Sequence, residues 1–354
     1  MKLCILGGGL TGLSLAKSLV KKGLSIDIFL NKKKSDFNRS RTIGISDDNL
    51  IYFNKEILNI EKLLWDIKKI EIYSDNLKNE KILNFENNNK TLFAIIRNYQ
   101  LQSKLLKSLK KDDLCNFKSN FEYSLSNSKK YKLIINCENY NYFSKKFFAK
   151  SLKKKYDSFA YTTILKHKKI RNNIASQIFT KNGPLAFLPL SEIETSIVYS
   201  IKGKKNINLK ELIKKYNTKY SITNFGGNNF FELKSSNLRT YYYKNILAFG
   251  DLLHRVHPLA GQGFNMTLRD IKSLSRLIES KLKNGLDLDN SISEDFQNMN
   301  RHKNYLFSSG IDFIYEFFSL ESKMNNNIIS KSVSLIGKNK FLNRSFKNIA
   351  NKGF

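Results

Sequence analysis

The stretch FGDLLHRVHPLAGQGFNMTLRD, residues 249–270, concentrates residue types that bind polar ligands in a chain rich in lysine and asparagine. Asp251 follows a short apolar run, 246–249, and its carboxylate can accept hydrogen bonds from a polyol. Gly-Gln-Gly at 261–263 then leads into a segment whose apolar residues recur at helical spacing from Leu268. Glycines let a flat ligand approach the backbone, and free N–H groups at a helix start favour negative charge. The stretch therefore predicts a strand, a ligand-binding loop and a helix.

A second ligand-binding motif lies at the N-terminus, in KLCILGGGLTGLSLAKSLVKKGLSIDIFL. This segment predicts a strand, a glycine turn, a helix and a second strand, with glycines in GxGxxG register. The first glycine allows the tight turn, the second lets a pyrophosphate approach the main chain, and the third lets the helix pack on the strand. Leu13, Ala16, Leu19 and Val20 would form the buried stripe of that helix. The residues expected to contact a dinucleotide are Gly7, Gly9, Leu10, Thr11 and Gly12.

The end of the second predicted strand departs from the usual dinucleotide-binding pattern. An acidic residue is expected there to hold the adenosine ribose, but Leu30 and Asn31 occupy the position and are followed by Lys32–Lys34. Asn31 can still bind a ribose hydroxyl, and the lysines suit either a 2′-phosphate or a solvated loop. This region alone leaves NADP open as the ligand.

The chain carries a formal charge of +31, from 61 basic and 30 acidic residues. Only ten of the basic residues are arginine, the side chain suited to bidentate phosphate and base contacts, and the lysines are scattered along the whole length. We interpret the charge as compositional bias and expect no nucleic-acid partner. It would still draw the surface towards anionic lipid headgroups.

The three cysteines, Cys4, Cys115 and Cys137, predict neither a disulfide framework nor a metal site, because they are odd in number and lack CxxC spacing. A reducing cytoplasm fits this pattern. The chain starts directly with a strand-like run, and no apolar stretch approaches the roughly 20 residues that cross a bilayer. We expect a cytoplasmic protein, either soluble or peripheral on the inner face of the membrane.

Together the two ends resemble the flavin-dependent aromatic hydroxylases, and among these the ubiquinone-biosynthesis hydroxylases that act on polyprenylated phenols. The resemblance rests first on Gly250-Asp251 and the following HPLAGQGFN at 257–265, a long and specific motif. Three weaker segments agree in kind and order: RTIGIS at 41–46, IIRNYQLQSKLL at 95–106 and ASQIFTKNGPLAFLPL at 175–190. The likeness therefore extends over nearly the whole chain.

The resemblance implies FAD as the cofactor, with Asp251 on its ribityl chain and Arg41 and Asn98 near the dinucleotide. It places the loop and helix start along the pyrimidine edge of the flavin, through Pro258, Gly261, Gln262, Gly263, Phe264 and Asn265. The implied reaction hydroxylates a prenylated phenol with O2, using NAD(P)H as electron donor. No side chain is predicted as the catalytic acid or base, and His257 is as well explained by a hydrogen bond that pins the loop.

One family motif is altered. Such proteins carry an Asp-Gly pair after a hydrophobic strand, followed by serine and arginine, which serves flavin and nicotinamide binding. KLIINCENYNYFSKKFF offers Glu138-Asn139 instead, with Ser144 and Lys145 as remnants, and Asn139 would need a glycine-like backbone conformation. Two alternatives therefore stay open: a non-catalytic FAD-binding member of a ubiquinone-biosynthesis complex, and a flavin enzyme that hydroxylates another aromatic compound. A flavin-free NADP dehydrogenase also stays open, since it would explain the lysines after the second strand, but it would leave the 249–270 loop without a purpose.

These placements predict an α/β fold, with a Rossmann-like FAD-binding domain, an inserted antiparallel β-sheet substrate domain and C-terminal helices. The FAD domain would comprise 1–70, 95–150 and 240–300, the substrate domain 71–94 and 151–239, and the helical segment 301–354. In that segment YLFSSGIDFIYEFFSL has aromatic residues at helical spacing, which suits core packing or membrane contact. The expected partners are a prenylated phenol, O2, an anionic membrane surface and other ubiquinone-biosynthesis proteins.

Overall fold

The chain forms a mixed α/β structure, and the class predicted from the sequence is confirmed. The structure, a computed structural model, describes residues 2–30, 39–75, 80–86, 90–124, 129–203, 207–258 and 261–324. At 318, 319 and 321–324 only the backbone is described.

Helices and strands alternate near both ends of the described chain, whereas its middle third is mostly strand. The helices, in chain order, are α1 (Leu10–Val20), α2 (Asp47–Tyr52), α3 (Asn98–Leu109), α4 (Tyr142–Phe147), α5 (Leu209–Tyr216), α6 (Gln262–Lys283) and α7 (Ser291–Met324). The strands, in chain order, are β1 (Lys2–Leu6), β2 (Ser25–Phe29), β3 (Thr42–Ser46), β4 (Trp65–Ile67), β5 (Lys69–Ser74), β6 (Glu80–Glu86), β7 (Phe93–Arg97), β8 (Cys115–Lys118), β9 (Ile134–Asn136), β10 (Ser151–His167), β11 (Ile174–Thr180), β12 (Gly183–Pro189), β13 (Glu194–Lys202), β14 (Ile222–Phe225), β15 (Asn229–Leu238), β16 (Tyr242–Tyr243), β17 (Ile246–Ala248) and β18 (His254–Arg255).

The first sheet has five parallel strands in the order β17-β9-β1-β2-β8, with β16 antiparallel at one edge. Its central strands are buried along nearly their whole length, as expected for a parallel sheet covered on both faces. The stripe predicted on α1 is confirmed, since Leu13, Ala16, Leu19 and Val20 are all buried. Parallel strands end at the same edge, so the segments that follow β1, β9 and β17 meet there.

The second sheet has nine strands in the order β18-β15-β10-β13-β12-β11-β5-β6, with β14 also paired to β10. Its neighbours are antiparallel except for the parallel pair β11 and β5. Beneath α5 lies a separate core in which Leu165, Tyr199 and Ile213 are buried. This sheet is the antiparallel sheet that the sequence predicted as an insertion.

A small third sheet, ordered β3-β7-β4, connects the two larger ones. Antiparallel pairing puts Thr42 opposite Arg97, so the RTIGIS segment lies beside the start of α3. Thr42 Oγ1 donates to Ser196 Oγ of β13 at 3.0 Å, and the Ser40 and Thr162 hydroxyls are also 3.0 Å apart. The third sheet thereby fixes the position of the nine-stranded sheet.

The 34-residue helix α7 packs on α6 and contacts β16 of the first sheet and β15 and β18 of the second. Phe296 lies in the core of the first sheet, whereas Phe307 and Ile311 join a cluster with Phe179 of the second. The predicted C-terminal helical structure is confirmed over 301–324, and 325–354 lie outside the described residues. No helix in the described part of the chain is long and apolar enough to span a bilayer.

Candidate cofactor-binding site

The glycine turn between β1 and α1 leaves space for a ligand at one position and none at another. A methyl group at Gly12 would lie 2.1 Å from the Gly7 carbonyl oxygen, so the helix can approach the strand only through a glycine. At Gly9 the same methyl group would meet no atom within 4 Å. Gly9 is the N-cap of α1, which has no side-chain cap and no acidic residue in its first turn. This helix start is therefore open to an anion.

The two ends of the chain touch at Gly250 and Thr11. Gly250 has φ of 64°, and a methyl group there would lie 2.6 Å from Thr11 Cγ2, so only glycine fits this contact. Gly250 begins a single turn of 3-10 helix, Gly250–Leu252, which places Asp251 exposed at the carboxyl edge of the first sheet. The carboxylate predicted to bind a polyol thus lies beside the glycine turn predicted to bind a pyrophosphate.

Cys137 and Glu138 follow β9 at the same edge. A methyl group at Gly7 would lie 3.1 Å from Glu138 Cγ, so the Glu138 side chain lies against the glycine turn. The pKa of the Cys137 thiol is raised because the group is buried and because the Glu138 and Asp251 carboxylates are near. The thiol is therefore neutral near pH 7, and two carboxylates contribute negative charge to this part of the edge.

The Glu138-Asn139 turn is held by its own hydrogen bonds. Asn136 Oδ1 accepts from the Glu138 backbone N–H at 3.2 Å and from Asn141 Nδ2 at 2.7 Å. Ser144, on α4, donates its hydroxyl to the Glu138 carbonyl oxygen. The expectation that Asn139 takes a glycine-like conformation is wrong, because the described non-glycine residues with positive φ lie elsewhere in the chain. This network supports the turn with an ordinary backbone at Asn139.

The start of α6 forms the other side of the edge. Gly261, the N-cap, has left-handed φ and ψ of 63° and 23°, and its N–H donates to the Pro258 carbonyl oxygen at 3.2 Å. Gln262 Oε1 is buried and accepts no hydrogen bond from any described residue. The helix has no side-chain cap and no acidic residue in its first turn. Gly263 and Phe264 are half-buried, and Phe264 packs against the core of the first sheet.

Asn265 is buried and all four of its amide hydrogen-bonding positions are used within the protein. Its Nδ2 donates to the Gly44 carbonyl oxygen at 3.0 Å and to the Gly261 carbonyl oxygen at 3.5 Å. Its Oδ1 accepts from the Ser46 N–H at 2.9 Å and from Asn49 Nδ2 at 3.1 Å. The side chain therefore joins α6 to β3 and α2 and has no hydrogen-bonding position left for a ligand.

Arg41 and Asn98, predicted near the dinucleotide, are brought together: the Asn98 N–H donates to the Arg41 carbonyl oxygen at 3.0 Å. The Arg41 guanidinium is exposed and lies 5.6 Å from the centre of the Phe231 ring, on β15.

Sequence reasoning missed Gln102, whose Nε2 donates to the Gly8 carbonyl oxygen at 3.0 Å and ties α3 to the glycine turn. Leu10 is half-buried at the same turn, and Asn31 lies outside the described residues.

Both histidines of the 249–270 stretch are buried away from solvent. His254 Nε2 lies 2.5 Å from Asp270 Oδ2, and Asn304 Nδ2 donates to the other oxygen of that carboxylate at 3.0 Å. His257 is stacked on Tyr315 with 4.1 Å between ring centres, and burial lowers its pKa to about 3. A neutral imidazole packed between the Tyr156 and Tyr315 rings serves the structure of the loop, and the hydrogen bond considered for His257 stays a prediction.

These observations fit a bound dinucleotide with a flavin. Open space beside Gly9, two uncapped helix starts and an exposed Asp251 suit a pyrophosphate, a negatively charged ring edge and a sugar chain. The buried Gln262 Oε1, which no described group satisfies, lies where a ligand N–H can donate to it. The donors and acceptors present therefore match the parts of FAD.

Relatives with known functions cover part of the chain. No family model matches it. The 3-demethoxyubiquinol 3-hydroxylase of Escherichia coli K12 is 28% identical over 153 residues, 40% of this chain and 39% of that protein. The mitochondrial ubiquinone biosynthesis monooxygenase COQ6 of Danio rerio is 26% identical over 182 residues, 39% of this chain and 38% of that protein. The matched part thus spans about two fifths of the length of these relatives.

Solved structures match over nearly the whole length. The p-nitrophenol 4-monooxygenase PnpA of Pseudomonas putida DLL-E4 superposes with a TM-score of 0.78 at 11% identity, covering 99% of this chain and 98% of that one. Klebsiella pneumoniae HpxO, complexed with FAD and uric acid, gives a TM-score of 0.76 at 10% identity, covering 100% and 97%. The predicted resemblance is confirmed: the chain is a relative of the ubiquinone-biosynthesis hydroxylases and has the fold of the FAD-dependent monooxygenases.

Proposed function

We propose that this protein is a FAD-dependent monooxygenase that hydroxylates the ring of a polyprenylated phenol in ubiquinone biosynthesis. The observation that carries the proposal is the contact of Gly250 with Thr11, which puts Asp251 beside the open glycine turn. The names of the curated relatives supply the substrate class and the pathway.

The residues at the carboxyl edge of the first sheet would hold the FAD. The backbone at Gly9 and the start of α1 bind the pyrophosphate, with Leu10 and Thr11 in the same turn, and Asp251 accepts hydrogen bonds from the ribityl hydroxyls. The start of α6 lies along the pyrimidine edge and stabilises negative charge there by about 0.3–2 kcal/mol through its dipole. Arg41 and Asn98 would lie near the dinucleotide. When bound and reduced, FAD supplies the activation of O2.

The chain itself positions the ring of the phenol and excludes water. The nine-stranded sheet covers the substrate, and the hydroxyl contacts of Ser40 with Thr162 and of Thr42 with Ser196 hold it over the cofactor edge. Water exclusion matters because a closed site strengthens the polar interactions inside it and prevents side reactions of the bound cofactor. In this assignment 1–70, 95–150 and 240–300 form the cofactor domain, and 71–94 with 151–239 form the substrate domain.

The electron donor in this proposal is NAD(P)H, and the partners follow from the substrate. A polyprenylated phenol partitions into a bilayer, so the enzyme would collect it as a peripheral protein on the inner face of the cytoplasmic membrane. Other ubiquinone-biosynthesis proteins would be its neighbours there. The formal charge of +31 favours an anionic lipid surface.

A second function is favoured by one observation, the Glu138-Asn139 turn that replaces an Asp-Gly pair. A protein that binds FAD but not the nicotinamide would serve as a non-catalytic member of a ubiquinone-biosynthesis complex. An enzyme for another aromatic compound is the remaining alternative, since the matching structures include a p-nitrophenol 4-monooxygenase and a protein complexed with uric acid.

The test separates these functions with one purified protein. The absorbance spectrum of bound flavin is recorded first, and NAD(P)H oxidation is then followed with and without a short-chain polyprenylphenol. Mass spectrometry of the quinol fraction should find the substrate mass increased by one oxygen atom. Bound flavin without NAD(P)H oxidation, with every phenol tried, would support the non-catalytic function. A colourless protein that takes up no FAD would overturn the cofactor assignment itself.

A further inference from the structure

The outward face of α7 carries a line of exposed apolar side chains. Met299, Leu306, Phe313 and Leu320 follow one another at intervals of seven residues and are 51%, 55%, 64% and 52% exposed. Seven residues are close to two helical turns, so these side chains lie nearly on one line, about 32 Å long at about 1.5 Å per residue. We call these four residues the outer stripe.

The helix is held so that the outer stripe faces away from the two large sheets. Ile311 and Tyr315 are buried on its other side. Asp312 accepts hydrogen bonds from the Tyr156 and Ser235 hydroxyls, which fixes the second half of the helix on β10 and β15. A contiguous apolar surface that is more than half exposed on a fixed helix marks an interaction site.

The residues that follow α7 in the sequence repeat the spacing of the outer stripe. Ile328, Leu335, Leu342 and Ile349 are also separated by intervals of seven residues. In a helix they would lie on one line of the same length, about 32 Å. Gly337 disfavours a helix, but two residues after Leu335 it would fall on the side opposite this line. We call these four residues the second stripe.

The two stripes are placed for antiparallel pairing. The helix α7 ends at Met324, and only Asn325–Asn327 stand between it and the second stripe. A connection of about two to five residues joins antiparallel helices, and asparagine can adopt the left-handed conformation that ends a helix. If the chain folds back at Met324, the residues equally distant from it in sequence come opposite each other. These pairs are Leu320 with Ile328, Phe313 with Leu335, Leu306 with Leu342, and Met299 with Ile349.

The charges of the two segments are complementary. The helix α7 carries five acidic and three basic residues, in a chain whose formal charge is +31. Residues 325–354 carry six basic residues and no acidic ones. In the antiparallel register Lys331 lies level with the stretch of α7 that contains Glu316, whose side chain is 53% exposed. Opposite charge therefore favours this segment as the partner of α7.

We propose that residues 328–349 form a helix that packs antiparallel on the outer stripe of the same chain. The four residues of the second stripe cover the four of the outer stripe, which removes both apolar lines from water. The short connection after Met324 keeps the segment at a high effective concentration beside α7. This inference concerns the helical end of the fold and does not depend on the reaction or on the cofactor.

A second copy of the chain is the other occupant that the outer stripe could take. Two copies of α7 related by a two-fold axis would put Met299 opposite Leu320 and Leu306 opposite Phe313. That arrangement brings one acidic helix against another and one chain of +31 against another. It also loses translational freedom that an attached segment does not lose. The segment of the same chain is therefore favoured.

The test uses the full-length protein with a photo-cross-linking amino acid, p-benzoylphenylalanine, in place of Phe313 or of Leu306. Mass spectrometry of tryptic peptides locates the cross-link after irradiation. The probe at 313 should react near Leu335, in the peptide 332–338, and the probe at 306 near Leu342, in the peptide 341–344. Cross-links that do not move towards the C-terminus as the probe moves towards the N-terminus would overturn the antiparallel register. The absence of any cross-link to 325–354 would overturn the proposal itself.

Isotope labelling separates the two occupants. Unlabelled and ¹⁵N-labelled proteins are mixed in equal amounts before irradiation. A cross-link within one chain joins peptides of the same isotope, whereas a contact between copies also gives mixed pairs. We expect pairs of one isotope only. Mixed pairs in the proportion of random association would show that a second copy occupies the outer stripe and would refute the proposal.

A control for the position of the probe comes from Ile51 and Ile193, apolar residues on other surfaces that are 60% and 51% exposed. With p-benzoylphenylalanine at either position, the protein should form no cross-link to 325–354. A yield equal to that from position 313 would mean that the segment contacts apolar surface without preference, which contradicts docking on α7.

The second stripe is tested by serine substitutions in the protein that carries the probe at 313. L335S/L342S should lower the cross-link yield about tenfold or more, because two buried apolar side chains are lost from the contact. V333S/F341S is the matched control, since these two residues lie off the second stripe, and it should keep the full yield. Circular dichroism checks that both variants keep the fold of the remaining chain. Equal yields from L335S/L342S and its parent, or equal losses in both variants, would overturn the assignment of the second stripe.

Discussion

The side-chain oxygen of Asn265 accepts a hydrogen bond from the backbone N–H of Ser46 at 2.9 Å, across 219 residues of sequence. The amide nitrogen of the same side chain donates to the Gly44 carbonyl oxygen at 3.0 Å. One buried amide therefore sets the distance between the start of α6 and β3, and β3 in turn is joined to the nine-stranded sheet. The position of the nine-stranded sheet relative to the carboxyl edge of the first sheet depends on this side chain.

Replacing that amide tests the dependence. Asn265→Ala leaves buried backbone donors and acceptors of β3 unsatisfied, so we expect the free energy of unfolding to fall by about 1–3 kcal/mol. FAD affinity should fall as well, because the start of α6 loses its fixed position. Chemical denaturation and flavin titration give the two quantities. Asn300→Ala is the control, since Asn300 bonds Ser273 and Phe296 far from the edge and should lose stability with little change in affinity.

Asp251 offers a more direct test of the cofactor assignment. Asp251→Ala removes a hydrogen bond to a charged acceptor, worth about 1.5–3 kcal/mol, so FAD should bind about one to two decades more weakly. Quenching of flavin fluorescence measures the dissociation constant. Asp287→Ala, which removes an exposed carboxylate paired with Lys132, is the matched control and should leave it unchanged. An unaltered constant in the Asp251 variant would refute the ribityl assignment.

Gly9 tests the pyrophosphate position without disturbing the protein. Because a side chain at 9 meets no atom within 4 Å and the backbone there is extended, Gly9→Val should fold normally. The added methyl groups occupy the space through which a pyrophosphate approaches the main chain, so FAD binding should be lost. Gly310→Ala, also at an open position, should keep both its fold and its flavin. Retention of flavin by the valine variant would show that the glycine turn binds something else or nothing.

The parts of the site that could be predicted are those whose signal is local. The glycine turn and the loop around Asp251 are short motifs in which a strand, a glycine and a helix must follow in order, and parallel strands bring their ends together. The Asn265 contact with Ser46 and the packing of His257 join elements far apart in sequence. No local sequence pattern therefore predicts these contacts. Asn139 was misjudged because the neighbouring side chains of Asn136, Asn141 and Ser144 form hydrogen bonds that support its turn in another conformation, and the family motif gave no sign of them.

His257 leads to a prediction about acid stability. Burial lowers its pKa to about 3 in the folded protein, against about 6.5 for an unperturbed histidine in the unfolded chain. Between these values the unfolded state binds the extra proton, so the free energy of unfolding falls as the pH falls through this window. His257 alone changes the free energy of unfolding by at most about 1.4 kcal/mol per pH unit. Its stabilising contribution is fully present only above about pH 6.5.

His257→Phe should remove that slope while keeping an aromatic ring between Tyr156 and Tyr315. Denaturation curves at several pH values between about 4 and 7 give the free energy of unfolding of both proteins, and the difference between them isolates the histidine. Asp312, whose pKa is raised by burial, titrates in both proteins and so cancels in the difference. The variant should gain stability relative to the wild type as the pH is lowered. A difference that does not change with pH would mean that His257 takes up a proton in the folded protein as easily as in the unfolded one.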